Sequence, residues 1–214
     1  MQYKVKPSAE TIKDFADTFN QERYYDAQSY TASIELAKAF FKNDSFRNIF
    51  IKVNYINGAF KTTIGDTFGV SKIIYERVKD IDKRLKEGDF TLIKEIARYK
   101  TRRGKKARNN YSFATKFCHC HYPKKFPICD QYVRNSLYEF NKYHKYSEFT
   151  KKDLYDYMKL NNVLNDFKKW IGDKEIDFAV VDRFLWALGK AVQRKRGKRK
   201  IDYLKKLKQV ILDA

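Results

Sequence analysis

The sequence contains little proline or glycine and no long apolar run. Only three prolines and eight glycines occur in 214 residues, so few positions interrupt a helix or require a left-handed backbone. No stretch approaches the ~20 consecutive apolar residues that span a bilayer. The first residues, MQYK, also lack the charged-then-apolar layout of a signal peptide. We therefore expect no membrane partner and a cytoplasmic location.

Acidic residues are also scarce relative to basic ones. The chain has 26 aspartates and glutamates against 46 lysines and arginines, which gives a formal net charge of +20. The positively charged side chains repel one another, and binding of a polyanion relieves this repulsion. Nucleic acid is therefore the first partner to expect. Hydrophobic residues make up 43% of the chain, which is enough to bury a core.

Apolar residues recur at intervals of three and four almost throughout, a pattern that predicts an all-α fold. Ser8 is the expected start of the first helix, Ser71 the N-cap of a later one and Gly88 its end. Phe41 is expected on one side of a helix over residues 29–41, together with Tyr30, Ile34 and Ala37. The faces predicted to be buried in three of the helices contain Ile12, Phe15, Ala16, Phe19, Ile49, Val53, Ile56, Phe60, Val133, Leu137 and Phe140.

The chain has no internal repeat and no low-complexity linker, so its division into domains is not marked by composition. A boundary is expected near residues 44–48. The resulting prediction is a set of N-terminal helices over 1–44, a helical domain over 45–192 and a basic C-terminal tail over 193–214. The tail begins with the run RKRGKRK, which either is solvated or contacts phosphates.

All three cysteines lie in one short stretch, which argues against a secreted disulfide framework. On a helix, Cys118 and Cys120 are about 200° apart and cannot bind one metal ion, so no metal site is predicted. A zinc site completed by Cys129, or a reactive thiol, remains an alternative to soft residues that fill a helical interface. The nearby His119 and His121 are expected at the surface without a functional role, and contact with a nucleic-acid phosphate or base is the alternative.

Asp130 follows PIC and directly precedes QYVRNSL, whose apolar spacing is that of a helix. This position predicts an N-cap. A capping aspartate is expected to be ionised, held by backbone N–H groups and favoured by the helix dipole. Its role is then either capping alone or capping together with chemistry in front of the helix.

The order of features around Asp130 resembles the helix-hairpin-helix DNA glycosylase superfamily, in particular its 8-oxoguanine type. The matching features are Gly104 within TRRGKKAR, the helix YSFATKFCHCH, the proline loop YPKKFPIC and the aspartate helix DQYVRNSL. KVNYINGAF and DRFLWALGKAV are similar to an early core helix and to a C-terminal helix of that family. The resemblance implies a two-lobed all-α bundle with a helix-hairpin-helix-like element.

The resemblance also implies a function, which is excision of a modified or damaged base by hydrolysis of its N-glycosidic bond. Asp130 would be the key carboxylate, double-stranded DNA with a modified base the partner, and neither a cofactor nor an obligate protein partner would be needed. The expected DNA-binding residues are Arg102, Arg103, Gly104, Lys105, Lys106, Arg108 and Arg134. The expected base pocket contains Tyr111, Phe126 and Trp186.

The chain departs from the family pattern at two places. The hairpin has one glycine instead of two. We therefore expect the basic side chains around Gly104, rather than backbone N–H groups, to bind the phosphate. Members with lyase activity carry a nucleophilic lysine at a position where this chain has Asn110 and Tyr111. Lys106 or Lys116 would fill that role only in a shifted alignment, so a monofunctional hydrolase is expected.

Several functions fit these residues at the level of sequence. Repair of the genome and defence against modified phage DNA are both compatible with a glycosylase. The main alternative is a non-enzymatic, basic helical protein that binds DNA or RNA, in which Asp130 only caps its helix. A nuclease is disfavoured because no pair of carboxylates has the spacing of a two-metal site.

Overall fold

The computed structural model describes residues 3–21, 25–99 and 108–193, and the side chains of residues 20, 21, 25, 99, 108 and 193 are not described within those ranges. The described residues confirm the all-α class. The α-helices are α1 Ala9–Gln21, α2 Tyr25–Ala39, α3 Phe46–Ala59, α4 Thr67–Arg77, α5 Ile81–Glu87, α6 Thr91–Ala97, α7 Tyr111–His121, α8 Gln131–His144, α9 Tyr157–Trp170 and α10 Phe178–Gln193. A 3-10 helix, Asp153–Tyr155, precedes α9.

Two strands of two residues each are the remaining regular structure of the described ranges. The strands are β1 Arg98–Tyr99 and β2 Arg108–Asn109, and they pair antiparallel with Arg98 opposite Asn109. Residues 100–107, which include the predicted hairpin glycine, connect the two strands and lie outside the described residues.

The chain divides into two compact units. The first unit combines Met1–Gln21 with Cys129–Ala214, and the second is Glu22–Ile128. The boundary predicted near residues 44–48 lies inside the second unit, around the start of α3. Within the described residues, none of the helices has the length and apolar character that crossing a membrane requires.

Local side-chain caps explain where several helices begin. The Ser8 hydroxyl accepts a hydrogen bond from the backbone N–H of Thr11, which confirms Ser8 as the start of α1. Ser45 and Asp66 cap α3 and α4 in the same way. Gly88 ends α5 with a φ of 80°, a left-handed conformation that glycine adopts without strain.

Three predictions about this part of the chain are wrong. The single helix expected from Ser71 to Gly88 is two helices, α4 and α5, separated by residues 78–80. Ser71 is not an N-cap, because it lies inside α4 and its hydroxyl donates to the Thr67 carbonyl. Phe41 follows the end of α2 and its side chain is 45% exposed, so it does not belong to the buried face of that helix. The helix that contains Ser71 begins earlier, and the helix before Phe41 ends sooner, than the apolar spacing indicated.

The predicted core faces are otherwise buried. In the first unit, Phe15 of α1 contacts Phe184 of α10 edge to face, with ring centroids 6.0 Å apart. Helix α10 packs directly on α8. In the second unit α3 packs on α4 and α6 packs on α7. All of the predicted core residues except Phe60, which is half-buried, lie in these interiors: Ile12, Phe15, Ala16, Phe19, Ile49, Val53, Ile56, Val133, Leu137 and Phe140.

Candidate active site

Asp130 is the N-cap of α8, as its position in the sequence predicts. One carboxylate oxygen, Oδ1, accepts hydrogen bonds from the backbone N–H groups of Tyr132 at 2.9 Å and Val133 at 3.1 Å. The residue is only 6% exposed. A carboxylate in this place is stabilised by two of the otherwise unpaired N–H groups of the first helical turn and by the helix dipole.

Arg134, one turn into α8, is held close to the same helix start. Its Nη1 donates to the Cys129 carbonyl at 3.4 Å, and its guanidinium carbon lies 4.4 Å from the centroid of the Tyr155 ring. The side chain is half-buried. Burial lowers the pKa of Arg134, but Cys129, Tyr155 and Asp130 together raise it above its ordinary value, so the guanidinium keeps its charge.

Trp186 of α10 places an aromatic ring near the start of α8. Its ring packs edge to face on Tyr132, with centroids 6.1 Å apart, and the ammonium of the buried Lys190 lies 4.2 Å from its centroid. This distance is that of a cation–π contact. Lys190 was not among the predicted site residues, although its position four residues after Trp186 on an amphipathic helix would bring the two side chains to one face.

The other described candidates lie in the second unit and are buried there. Tyr111 is the first residue of α7, and Phe126 packs edge to face on Phe90 with centroids 5.7 Å apart. Lys116 is buried in the middle of α7, with its ammonium 5.3 Å from the Phe60 ring centroid. Thus the predicted base-pocket residues do not belong to one unit, since Trp186 is in the first and Tyr111 and Phe126 are in the second.

The predicted phosphate-binding run falls outside the part of the chain that the structure describes. Arg102, Arg103, Gly104, Lys105 and Lys106 are in this category, as is the basic tail over 194–214. Of Arg108 only the backbone is described, in β2. Their assignment to DNA binding therefore stays a prediction.

The cysteine cluster belongs to the protein interior. Cys118, Cys120 and Cys129 are buried free thiols, and the Cys129 thiol donates to the Leu154 carbonyl at 3.4 Å. Burial raises the pKa of Cys118 well above its ordinary value and that of Cys120 to about 12. Among the described residues no group of three or more His, Cys, Asp or Glu side chains is placed to hold a metal ion.

The prediction that His119 and His121 lie at the surface is wrong, because both are buried in α7. His119 Nδ1 lies 2.7 Å from the Phe126 carbonyl oxygen and Nε2 lies 2.7 Å from the Tyr30 hydroxyl. A carbonyl only accepts, so Nδ1 carries the proton, and in the neutral ring Nε2 accepts from the tyrosine. His121, in contrast, has no hydrogen-bond partner for either ring nitrogen among the described residues.

A group of partly exposed aromatic rings on α3 and α4 was also not predicted. Phe46 stacks on Phe50 with centroids 5.6 Å apart, and it contacts Phe68 at 5.0 Å and Tyr75 at 6.3 Å. Phe68 and Tyr75 are largely exposed. The spacing of four residues in α3 and seven in α4 would have revealed the group, had both helices been placed on the same surface.

The molecule is thus a basic all-α protein with a capped carboxylate in one unit and several buried polar side chains in the other. The sequence model of the family HI_0787_N, described as an N-terminal domain, matches residues 11–125, and the chain belongs to this family. The matched residues include His121 but end before Asp130.

A protein of Haemophilus influenzae, described as an uncharacterized protein, is 42% identical over 140 residues. The match covers 65% of this chain and 65% of that relative, so it spans less than two thirds of either protein. No solved structure matches the chain.

Proposed function

We propose that this protein is a DNA glycosylase that removes a modified or damaged base by hydrolysis, with Asp130 as the carboxylate that acts at the sugar. The observation that carries the proposal is the placement of this carboxylate, held by two backbone N–H groups at the start of α8. Trp186 and Tyr132 supply aromatic surface in the same unit, and the net charge of +20 suits a duplex partner.

The reaction follows from these groups. The target nucleotide leaves the base stack, because its glycosidic bond is unreachable inside the duplex. As the bond between C1′ and the base nitrogen breaks, positive charge develops on the sugar, and the Asp130 carboxylate stabilises it. A water molecule then attacks C1′ and gives up a proton to the carboxylate, while the base leaves with the bonding electron pair and takes up a proton.

The two capping bonds fit this role. They fix the position of the carboxylate before the substrate arrives, so no rearrangement of the charged group is needed as the sugar becomes positive. Arg134 adds a cation that is restrained by Cys129 and Tyr155. We assign it to the positioning of a DNA phosphate near the reacting sugar.

Hydrolysis without lyase chemistry is the form of the reaction that these residues favour. Lys116 is buried in α7 with its ammonium against the ring of Phe60, which is a poor position for attack on C1′. Reduction with borohydride during turnover should therefore trap no covalent complex between protein and DNA. A trapped complex that is lost in Lys106→Gln or Lys116→Gln would show a bifunctional enzyme instead.

The decisive experiment compares two aspartates that cap helices in the same way. Asp156 caps α9, with its Oδ1 accepting from Met158 N at 3.0 Å and Lys159 N at 3.2 Å. Wild type, Asp130→Asn and Asp156→Asn are incubated with duplexes that carry single modified bases and with modified phage DNA. Released bases are identified by mass spectrometry, and DNA affinity is measured in parallel.

If the protein is a glycosylase, wild type and Asp156→Asn should both release a base. Asp130→Asn should release none and should keep its affinity for DNA. Absence of release from every substrate, with DNA binding intact in all three proteins, would contradict the proposal. In that case Asp130 would be a cap and nothing more.

The second candidate function is a nucleic-acid-binding protein without catalysis. It is favoured by the α3–α4 aromatic group, because exposed rings beside basic side chains are suited to stacking of unpaired bases. Exposed Arg47 lies next to Phe46 in α3, and exposed Lys72 lies one turn from Phe68 in α4. This function predicts that Phe68→Ala and Tyr75→Ala weaken binding to single strands, and that binding falls steeply with salt.

A further inference from the structure

Three buried polar atoms of the second unit have no hydrogen-bond partner among the described residues. They are Oδ1 of Asn43 and both ring nitrogens of His121. Asn43 is 6% exposed and His121 is 8% exposed. Native proteins pair the great majority of such atoms, since a buried polar group without a partner loses its hydrogen bonds to water and gains none in return.

The segment over residues 40–43 contacts both Lys52 of α3 and His121 of α7. The Lys52 ammonium donates to the carbonyls of Phe40 at 2.7 Å and Lys42 at 3.2 Å. Between these two residues, the ring of Phe41 lies against the imidazole of His121, with centroids 6.3 Å apart. Asn43, the next residue along, is turned toward the side chain of Asp82.

Asp82 fixes the orientation of the Asn43 side chain. The Nδ2 group of Asn43 donates to Asp82 at 2.6 Å, and its backbone N–H donates to the same carboxylate at 3.0 Å. Because Nδ2 is committed to Asp82, the amide oxygen Oδ1 is held as an acceptor on the other side of the amide. Asp82 also interacts electrostatically with Lys52.

The polar side chains around Lys52 carry both signs of charge and include both donors and acceptors. The Lys52 ammonium already interacts with the carboxylates of Asp82 and Asp44, so the group offers no unmatched positive charge to an anion. Burial, together with nearby Lys52, lowers the pKa of His121 to about 3, and the neutral imidazole offers one donor and one acceptor. The ammonium of Lys52 uses two of its three protons on Phe40 and Lys42 and retains a third.

Two partly exposed aromatic rings lie on the solvent side of His121. Phe41 is 45% exposed, and it contacts the half-buried ring of Tyr122 as well as His121, with a centroid distance of 6.0 Å to Tyr122. Tyr122 is also close enough to Asp82 for the carboxylate to raise its pKa, in addition to the effect of burial. An apolar ring next to unmatched donors and acceptors suits a flat ligand with a polar edge.

We propose that Asn43, Lys52 and His121, with the rings of Phe41 and Tyr122, form a binding site for the hydrogen-bonding edge of a nucleobase. A neutral base presents donors and acceptors side by side, so it can donate to Asn43 Oδ1 and form a second hydrogen bond with one ring nitrogen of His121. The choice of a base as ligand rests on the proposed function, whereas binding itself does not require Asp130. The three polar residues lie within the part of the chain that matches its family.

The ¹⁵N resonances of the histidine rings test base binding directly on the wild-type protein. The chain has three histidines, so the imidazole ¹⁵N resonances of the full chain can be assigned individually. Adenine, cytosine, uracil and their methylated forms are titrated as free bases, and 1,3-dimethyluracil is the control because it lacks both N–H donors of uracil. At least one base should shift the His121 nitrogens and leave those of His144 in place, and 1,3-dimethyluracil should shift neither.

Variants separate the polar and the aromatic part of the site. His121→Phe keeps a ring but removes both nitrogens. We expect it to weaken base binding about tenfold or more, because polar groups of the bound base are then buried without a hydrogen-bond partner. Phe41→Ala should also weaken binding. Tyr143→Ala, which removes an equally exposed ring in α8, should not.

The outcomes distinguish this inference from the proposed function. Absence of a His121 shift with every base, or equal affinity of wild type and His121→Phe, overturns the base site. Binding of 1,3-dimethyluracil as tight as that of uracil also overturns it, because the polar edge would then play no part. If Asp130→Asn and wild type bind a base equally but no base is ever released from DNA, the base site stands and the glycosylase is wrong.

Discussion

Gly189 of α10 lies directly against the backbone of Tyr132 in α8. A Cβ atom at this glycine would come within 2.6 Å of the Tyr132 carbonyl oxygen and 2.9 Å of the Ser136 hydroxyl. The missing side chain therefore lets the two helices approach closely. This contact sets the distance between Trp186 on α10 and the capped carboxylate at the start of α8.

Replacement of Gly189 by alanine should lower the free energy of unfolding by about 1–3 kcal/mol, because the new methyl group meets a backbone atom that cannot move aside. Gly58→Ala is the matched control, since nothing lies within 4 Å of its added Cβ. That change should stabilise by up to about 1 kcal/mol through better helix propensity. Chemical denaturation of both variants checks this, and equal effects of the two changes would contradict the close approach.

The caps at Asp130 and Asp156 should contribute similarly to stability. Each places one oxygen on two backbone N–H groups of its helix, so Asp130→Ala and Asp156→Ala should each lower the unfolding free energy by about 1 kcal/mol. Denaturant titrations of the two variants measure this. A far larger loss at Asp130 alone would mean that the buried aspartate has a structural role beyond capping.

Lys52 should make the stability of the protein depend on pH in the alkaline range. Burial lowers its pKa from 10.5 to about 8 against the opposing effects of Asp82 and Asp44. Between about pH 8 and 10.5 the unfolded chain therefore binds more protons at this residue than the folded chain does, so the contribution of Lys52 to stability rises with pH across this window.

The measurement compares wild type with Lys52→Met, because other titrations cancel in the difference. The unfolding free energy of wild type relative to the variant should rise by at most about 3 kcal/mol from pH 7.5 to pH 10. Lys52→Met also removes the donor to the carbonyls of Phe40 and Lys42. Because this loss is the same at every pH, the change of the difference with pH, and not its size at pH 7, is the quantity to compare. A difference that stays constant or falls with pH would show that the lysine is not desolvated.

The thiols should be unreactive in the folded protein. Cys118, Cys120 and Cys129 are buried, and the raised pKa values of Cys118 and Cys120 keep them protonated. A thiol reagent at pH 8 should therefore modify none of the three quickly in native protein and all three after unfolding in guanidinium. Rapid modification of one cysteine in the native state would contradict the burial and revive the reactive-thiol alternative.

Local sequence information was sufficient for several features. The face of α1 with Ile12 and Phe15, the end of α5 at Gly88 and the N-cap at Asp130 are all confirmed, because each depends on residues within one or two helical turns. The same reasoning failed at Ser71 and Phe41, where a helix began earlier or ended sooner than its periodicity indicated. Spacing describes a face but does not locate the end of a helix.

The candidate sites depended on contacts between distant segments. Periodicity placed Trp186 on a helix but not beside Tyr132, and it placed His119 and His121 at the surface, although both are buried. The association of Asn43, Lys52, Asp82 and His121 joins residues from four parts of the chain. No short motif records such an arrangement, because the hydrogen bonds form only after the helices pack.

By itself, the sequence determined the all-α class, the strong positive charge, most of the core faces and the capped carboxylate at Asp130. These features follow from composition and from interactions within a helix, which neighbouring residues specify. The tertiary structure decided the division into units at residues 21–22 and 128–129, the burial of the histidines and thiols, and the unmatched polar atoms around Lys52. These depend on which helices share an interface, and that choice is made by the complementarity of whole surfaces rather than by any single segment.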